Sequence, residues 1–223
     1  MDRALLKDAL IKLLSGVLIM GLLLFLPAGT LSWPQAWLLL GVLFIPMTAA
    51  GFLMYFKAPE LLRRRLKAKE EQAEQKTVIM LSGLMFVAAF VAAGLSFRFG
   101  WLQLPLWLSI AAALLFLLAY AVFAEVLREN AYMSRTIEVT EGQRVVDTGL
   151  YGIVRHPMYS ATVLLFLSMP LVLGSLISFL IMLVYIPVIV KRIRNEEQVL
   201  GRELEGYDEY MNKVRWRLLP YIW

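Results

Sequence analysis

Four long runs without a charged residue restrict the fold of this chain more than any other feature. They cover residues 13–56, 77–97, 99–124 and 157–190. About 20 consecutive apolar residues are enough to span a bilayer as an α-helix. The chain is also 60% hydrophobic and only 17% charged, which lies outside the usual balance of soluble domains. The sequence therefore predicts an all-α integral membrane protein.

The first run is too long for a single membrane helix. It holds 44 residues, and Pro27-Ala28-Gly29 and Trp33-Pro34 interrupt it near the middle. We expect two helices here and one helix in each of the next two runs, which gives four transmembrane helices. Charged residues precede the first helix without an evident small-residue cleavage site, so we interpret it as an uncleaved helix rather than a signal peptide.

The last run, 157–190, predicts a helical hairpin. As one helix its 34 residues would be roughly 50 Å long, against a hydrocarbon core of about 30 Å. Met169-Pro170 and Leu173-Gly174-Ser175 supply helix breakers near its centre. The total is then five to six membrane helices. The sequence leaves open whether the hairpin crosses the membrane fully or re-enters.

The distribution of basic residues supports the hairpin. The N-terminus carries three Lys or Arg, 57–76 carries seven, 125–155 four and 191–223 seven, so that Arg98 is the single one left of 22. All four segments fall on one side of the membrane only if the last run returns to that side. By the positive-inside rule this side is cytoplasmic. We therefore expect both termini to be cytoplasmic.

The polar connections between the spans suggest two local structures. Residues 57–76 begin Lys-Ala-Pro-Glu and mix basic with acidic residues, which is typical of a solvated or headgroup-bound helix with i,i+4 ion pairs. Residues 136–149 alternate with period two around Glu141-Gly142, which predicts a short β-hairpin acting as a cytoplasmic flap.

Composition excludes several kinds of chemistry. The chain has no cysteine and one histidine, so disulfides and thiolate chemistry are excluded and a metal site is not expected. The hydrophobicity argues against nucleic-acid binding, and the net charge of +5 is explained by orientation and lipid headgroups.

Two polar clusters flank the last run. His156 precedes Pro157 and is followed by Tyr159, beside a helix start whose free N–H groups attract anions. The simpler interpretation is a histidine that caps the helix, next to an Arg155 that only contributes to the positive-inside signal.

The second cluster follows the run. Arg192 and Glu196 are spaced i,i+4, and Arg194 and Glu197 are spaced i,i+3. They could form a polar floor under an apolar cavity, or ordinary surface pairs at a solvated helix end. The aromatic and basic tail beyond them is typical of a membrane-interface belt.

Together these segments resemble the isoprenylcysteine carboxyl methyltransferase (ICMT) family and, more widely, its relatives among phospholipid N-methyltransferases. The resemblance covers the chain from about Asn130 onward. It rests on an ordered set of motifs: Gly149-Leu150-Tyr151, Val154-Arg155-His156-Pro157-Met158-Tyr159, Arg192, Glu196-Glu197, Leu200, Gly206-Tyr207, Tyr210 and the stretch 214–220.

The resemblance implies that S-adenosylmethionine is bound in a pocket formed by the hairpin, the preceding cytoplasmic loop and the C-terminal tail. Arg192 and Glu197 would be catalytic. The implied cofactor-binding residues are His156, Tyr159, Arg155, Tyr151, Glu196, Tyr207 and Tyr210. We expect one membrane domain, 1–223, with an N-terminal four-helix part (1–128) and a catalytic part (129–223). The chain has no Gly-x-Gly-x-x-Gly stretch that would indicate a Rossmann domain instead.

The function so implied is methyl transfer to a lipophilic acceptor in the membrane, with carboxyl O-methylation of an isoprenylcysteine-like substrate first. Methylation of a lipid amine is the nearest alternative, since the sequence does not separate the two acceptors. Reductase chemistry of the sterol-reductase type is a third, although no nicotinamide-specific feature is visible. A non-catalytic transporter or assembly protein stays open, but few charges lie within the spans. The sequence does not indicate the oligomeric state.

Overall fold

The computed structural model describes residues 2–67, 73–130, 139 and 142–223; for 64, 65, 67 and 73–79 it describes the backbone alone. The described residues form nine α-helices, one short 3-10 helix at Gly149–Gly152, and no strand. The α-helices are α1 Arg3–Ala28, α2 Pro34–Lys57, α3 Pro59–Lys67, α4 Ala73–Phe99, α5 Leu106–Glu129, α6 Pro157–Val172, α7 Leu176–Met182, α8 Tyr185–Glu203 and α9 Tyr207–Lys213.

Five helical segments are long and apolar enough to cross a membrane. They are α1, α2, Met80–Phe99 of α4, α5, and the combined segment Leu176–Glu203 formed by α7 and α8. The shorter apolar helix α6 precedes the fifth. The prediction of an all-α membrane protein with four helices and a C-terminal hairpin is confirmed.

The break between α1 and α2 lies where the sequence predicts it. Asp2 caps the start of α1 by accepting from the backbone N–H groups of Ala4 and Leu5. Gly29 ends the helix in the left-handed conformation, with φ of 69°. Pro34 then occupies the first turn of α2, where its missing N–H costs no intrahelical bond.

Close packing of α1 against α4 depends on Gly94. A Cβ atom at this position would lie 2.7 Å from the carbonyl oxygen of Leu24 and 2.9 Å from Cβ of Pro27. Any larger residue would push the two helices apart, which is why small residues are common where membrane helices meet. The same core contains Trp33, fully buried and stacked on Phe97 with ring centroids 4.9 Å apart.

The last charge-free run forms the predicted hairpin. Gly174 turns the chain with φ of 72°, and Ser175 caps α7 by accepting from the N–H of Ser178. Pro170 does not make the break, because it lies inside the last turn of α6. The turn contacts the loop between α4 and α5: the N–H of Leu104 donates to the carbonyl of Gly174 at 2.8 Å.

This contact shows that both ends of the run lie at the same end of the bundle. The turn of the hairpin is level with the α4–α5 connection, and at that end Gly29 lies beside the guanidinium of Arg98. The N-terminus lies at the opposite end, where Arg63 of α3 forms an ion pair with Asp2 at 2.8 Å. The side of the membrane on which this end lies stays a prediction.

The two polar connections are described in part. Residues 59–67 are helical, as expected, whereas the acidic residues Glu70 and Glu71 lie outside the described residues. Residues 142–148, one arm of the predicted β-hairpin, contain a turn but no strand. The rest of that prediction, on 136–138, 140 and 141, falls outside the described part of the chain.

Candidate active site at the base of the hairpin

The start of α6 places His156 inside the protein instead of at its surface. Pro157 occupies the first turn of the helix, and His156 at the N-cap position before it is only 4% exposed. Its side chain makes no capping hydrogen bond. His156 thus occupies the N-cap position, as the simpler interpretation expects, but its imidazole does not cap the helix and makes other contacts.

The C-terminal tail lies alongside this segment and closes it off. The backbone N–H groups of Arg155 and His156 donate to the carbonyls of Trp216 (2.8 Å) and Arg217 (2.9 Å). One turn further on, the hydroxyl of Ser160 donates to the carbonyl of Leu218 at 2.6 Å. These bonds replace partners that the first turn of a helix otherwise lacks, so the tail is an integral part of the site.

Glu197 of α8 is the centre of a buried ionic cluster. Its Oε1 accepts from Nε of Arg155 at 2.8 Å and lies 3.2 Å from Nε2 of His156. Its Oε2 accepts from Nε of Arg217 at 2.8 Å. The Glu197 side chain is 8% exposed. One carboxylate thus connects α8, the start of α6 and the tail through charge-assisted hydrogen bonds.

The contacts of Arg155 indicate a mainly structural role. Besides Glu197, one terminal nitrogen donates to the carbonyls of Val214 (2.7 Å) and Arg215 (3.0 Å). The residue is 7% exposed. Arg155 is therefore more than part of the basic belt, because it holds the tail against α8.

A second polar group lies one turn along α6. The phenol of Tyr159 donates to Oε2 of Glu196 and accepts from Nε of Arg192, 2.9 Å away. Arg192 and Glu196, which the sequence pairs by their i,i+4 spacing, are thus joined through a residue of the neighbouring helix. Nδ1 of His156 lies 4.0 Å from Oε1 of Glu196, which brings the two groups together.

Three further tyrosines line the connection between the loop and α9. The hydroxyl of Tyr210 donates to the backbone carbonyl of Tyr151 at 2.8 Å, and Asn130 donates to the hydroxyl of Tyr151 at 3.0 Å. Burial raises the pKa of Tyr151 to about 12, so its phenol is neutral near neutral pH.

Tyr207 has a different environment. It is 4% exposed, and its buried hydroxyl has no hydrogen-bond partner among the described residues. Burial raises the pKa of Tyr207, and the negative charges of Glu197 and Glu196 raise it further. An unpaired buried donor beside two carboxylates is costly unless a ligand or water satisfies it.

The structure brings most of the predicted site residues into contact. Six of them form the two linked polar groups: Arg155, His156, Tyr159, Arg192, Glu196 and Glu197. Tyr151 and Tyr210 contact each other at the edge of this region. No group of acidic or histidine side chains suited to a metal was found among the described residues.

Two residues of the site are missed by sequence reasoning. Arg217 pairs with Glu197, and its guanidinium lies over the ring of Trp223, 5.2 Å from the centroid. Both belong to the tail that the sequence alone presents as an interfacial belt. Arg217 lies 20 residues from Glu197 in the sequence, so no local spacing could reveal that ion pair.

Residues 110–202, which include α6 and most of α8, match the model of the isoprenylcysteine carboxyl methyltransferase (ICMT) family. The match covers 93 of the 223 residues and contains both polar clusters that flank the hairpin. The fold of the chain resembles that of the eukaryotic intramembrane Ras methyltransferase ICMT, with a TM-score of 0.56 and 18% identity. That likeness covers 92% of this chain and 74% of the solved one, and at this identity it concerns the fold alone.

The chain is also similar to sterol reductases. It is 31% identical over 91 residues to the Delta(14)-sterol reductase of Mus musculus, which covers 40% of this chain and 22% of the relative. It is 27% identical over 137 residues to the Delta(14)-sterol reductase of Methylotuvimicrobium alcaliphilum strain 20Z, covering 54% and 32% respectively. The chain thus matches less than a third of the length of either curated relative.

Proposed function

We propose that this chain is an S-adenosylmethionine-dependent methyltransferase that acts on a lipophilic acceptor within the membrane. Carboxyl O-methylation of an isoprenylcysteine-like molecule is the first candidate reaction. The observation that carries the proposal is the linked polar cluster of His156, Tyr159, Arg192 and the two glutamates, at the base of the hairpin and inside the family-matched segment.

The polar groups at this position fit such a donor. The carboxylate of Glu196 favours a nearby positive charge, and the unpaired hydroxyl of Tyr207 offers a hydrogen bond. His156 and Tyr159, with ring centroids 5.7 Å apart, add aromatic surface beside them. When bound, S-adenosylmethionine would supply an electrophilic methyl group on a sulfonium.

Arg192 is the residue we assign to the acceptor carboxylate. A guanidinium matches a carboxylate in a two-point geometry, and Tyr159 fixes the orientation of Arg192 through its Nε. Glu196 holds that phenol from the other side. The three side chains would position the nucleophile, which is the main requirement of an in-line displacement.

Glu197 would act by positioning the side chains around it. Its two oxygens are engaged by Arg155, His156 and Arg217, so it holds the site together. An amine acceptor would instead require a proton acceptor with a free lone pair. Oε1 of Glu196 accepts no hydrogen bond among the described residues and could take that part, so lipid amine methylation is the alternative; the guanidinium of Arg192 is what favours a carboxylate acceptor.

The place of the cluster suits two ligands of different solubility. The family-matched hairpin is apolar between the cluster and Gly174, and the loop and tail approach the cluster from the polar end of the bundle. A water-soluble donor would enter from that polar end, whereas a lipid acceptor would approach sideways from the bilayer. Desolvation between the two would favour the displacement.

Donor binding is the first test. Titration of detergent-purified protein with S-adenosylhomocysteine in a calorimeter should show binding that His156→Ala and Glu197→Gln weaken. Glu203→Gln, an exposed position at the end of α8, is the matched control and should bind like the wild type. Absence of binding by folded wild-type protein would refute the methyltransferase proposal and favour a non-catalytic protein or a reductase.

The acceptor is tested by transfer of a radiolabelled methyl group to prenylcysteine analogues and to amine lipids. A methyl ester loses its label in base, whereas an N-methyl group keeps it. A base-labile product is expected. A base-stable product would contradict a carboxylate acceptor and support methylation of a lipid amine.

Reductase activity is the second candidate, favoured by the similarity to two Delta(14)-sterol reductases. It predicts oxidation of a reduced nicotinamide cofactor in the presence of an unsaturated sterol. Nicotinamide oxidation that depends on the sterol, without methyl transfer, would establish this alternative.

A further inference from the structure

Arg217 is more exposed than Arg155 and makes fewer hydrogen bonds. Its Nε donates to Glu197, but its two terminal nitrogens have no hydrogen-bond partner among the described residues. The side chain is 33% exposed, whereas that of Arg155 is 6% exposed and also bonded to tail carbonyls. Arg217 is therefore held by the buried carboxylate of Glu197 and has two further nitrogen donors that can bind a ligand.

The guanidinium is also held in orientation. On the backbone, the N–H of Arg217 donates to the carbonyl of Trp223 at 2.9 Å, and its own carbonyl accepts from His156 at 2.9 Å. The ring of Trp223 covers the guanidinium at 5.2 Å, a distance typical of a cation–π contact. A guanidinium fixed in this way loses little freedom when it binds a ligand.

The two arginine pairs of Glu197 are not equivalent. Arg155 and Arg217 both pair with this one carboxylate, and the described residues show no other acidic partner for either. One carboxylate therefore serves two guanidiniums, and Arg217, the more exposed of the two, pairs with it through Nε alone. A guanidinium paired in this way can accept a second anion on its remaining nitrogens.

From these three observations we propose that Arg217 binds a ligand carboxylate through its two terminal nitrogens. This inference rests on the proposed methyltransferase function and extends it to a residue outside the family-derived set. Two ligands could supply the carboxylate: the amino-acid end of the methyl donor, or the acceptor. The chemistry is the same in both cases, a planar carboxylate on a guanidinium fork.

The test compares Arg217→Lys with Arg215→Lys. Lys keeps the charge but cannot form the fork, and Arg215 is an exposed residue of the same tail whose side chain is outside the cluster. Calorimetry is done with S-adenosylhomocysteine and with methylthioadenosine, which lacks the amino-acid part. Transfer kinetics are measured with a prenylcysteine carboxylate.

If the donor supplies the carboxylate, Arg217→Lys lowers the affinity for S-adenosylhomocysteine about tenfold or more, as expected for a lost charged hydrogen-bond pair. The affinity for methylthioadenosine stays unchanged. If the acceptor supplies it, both nucleosides bind normally and the KM for the carboxylate rises by a similar factor. Either result supports the proposal and identifies the source.

The proposal is overturned if Arg217→Lys matches Arg215→Lys in all three measurements while the wild type binds donor product and transfers methyl. Wild-type protein that does neither refutes the proposed function together with this inference. Should Arg217→Lys not fold, Trp223→Ala serves instead, because it removes the covering ring and leaves the guanidinium in place. It should weaken binding of the same ligand relative to Arg215→Lys.

Discussion

Nε of Arg155 lies 2.8 Å from Oε1 of Glu197, so two residues 42 positions apart form a buried ion pair. Arg155 precedes one arm of the hairpin, and Glu197 lies in the polar part of α8 that follows the other. The pair therefore closes the base of the hairpin, and the tail completes it because Arg155 also donates to the carbonyls of Val214 and Arg215.

Arg155→Ala should destabilise the protein strongly. The change leaves Glu197 with less compensation and removes the donor from two tail carbonyls, and loss of one partner from a buried pair costs about 3–5 kcal/mol. Thermal unfolding in detergent should show a clear fall in midpoint. Arg128→Ala, which breaks an exposed pair with Glu125 on α5, is the control and should leave the midpoint nearly unchanged. Equal effects of the two changes would contradict the prediction.

Tyr159→Phe should reduce methyl transfer more than donor binding. The phenol joins Arg192 to Glu196, and its loss removes the hydrogen bond to Nε of Arg192 without altering the packing of the ring. A hydrogen bond to a charged group contributes about 1.5–3 kcal/mol, so the transfer rate should fall about tenfold or more. Single-turnover transfer and calorimetry separate the two quantities. Tyr221→Phe, at an exposed position, is the control.

Gly149→Ala should disturb the loop that leads into the site. Gly149 has a φ of 55°, and a Cβ there would lie 1.6 Å from Oε1 of Glu129. That carboxylate accepts from the N–H of Leu150 at 2.9 Å, so the methyl group would displace a loop contact as well as strain the backbone. Gly100→Ala, with φ of 69° but open space around it, adds only the strain. The melting midpoint should therefore fall further for Gly149→Ala, and a fall of equal size would show that the contact is unimportant.

Stability should decline at alkaline pH through Tyr151. Its pKa is about 12 in the folded protein, against about 10 for an unfolded tyrosine. The neutral phenol therefore contributes stability that is fully present below about pH 10 and is lost as the pH rises towards 12, a total of about 3 kcal/mol. Unfolding midpoints measured across this interval should fall less steeply for Tyr151→Phe. Some slope should remain, because burial also raises the pKa values of Tyr207 and Tyr210.

The architecture was largely predictable because it follows from the cost of placing charge in a membrane. Runs without charge predict helices, and the seven basic residues after Val190 predict that the last run turns back. Gly174 makes that turn, as helix breakers near the middle of the run indicate. The position of Pro170 inside α6 was not predictable, since a proline near the end of a helix is tolerated when a neighbouring element accommodates it.

The site was predictable only in part. The motif around His156 and the Arg192–Glu197 segment identify the side chains, but not their partners. The helix spacing pairs Arg192 with Glu196 directly, whereas Tyr159 lies between them. Arg217 and Trp223 join the cluster because the tail folds back along the start of α6, and backbone hydrogen bonds of this kind leave no trace in composition or periodicity.

The uncharged turn at Leu173-Gly174-Ser175 has a consequence for biosynthesis. All ionised members of the cluster lie beyond the two arms of the hairpin, so insertion of this segment would move no formal charge through the lipid. The hairpin can enter the bilayer as one unit before the tail has been synthesised. The polar cluster would then assemble only after the residues around Arg217 have left the ribosome.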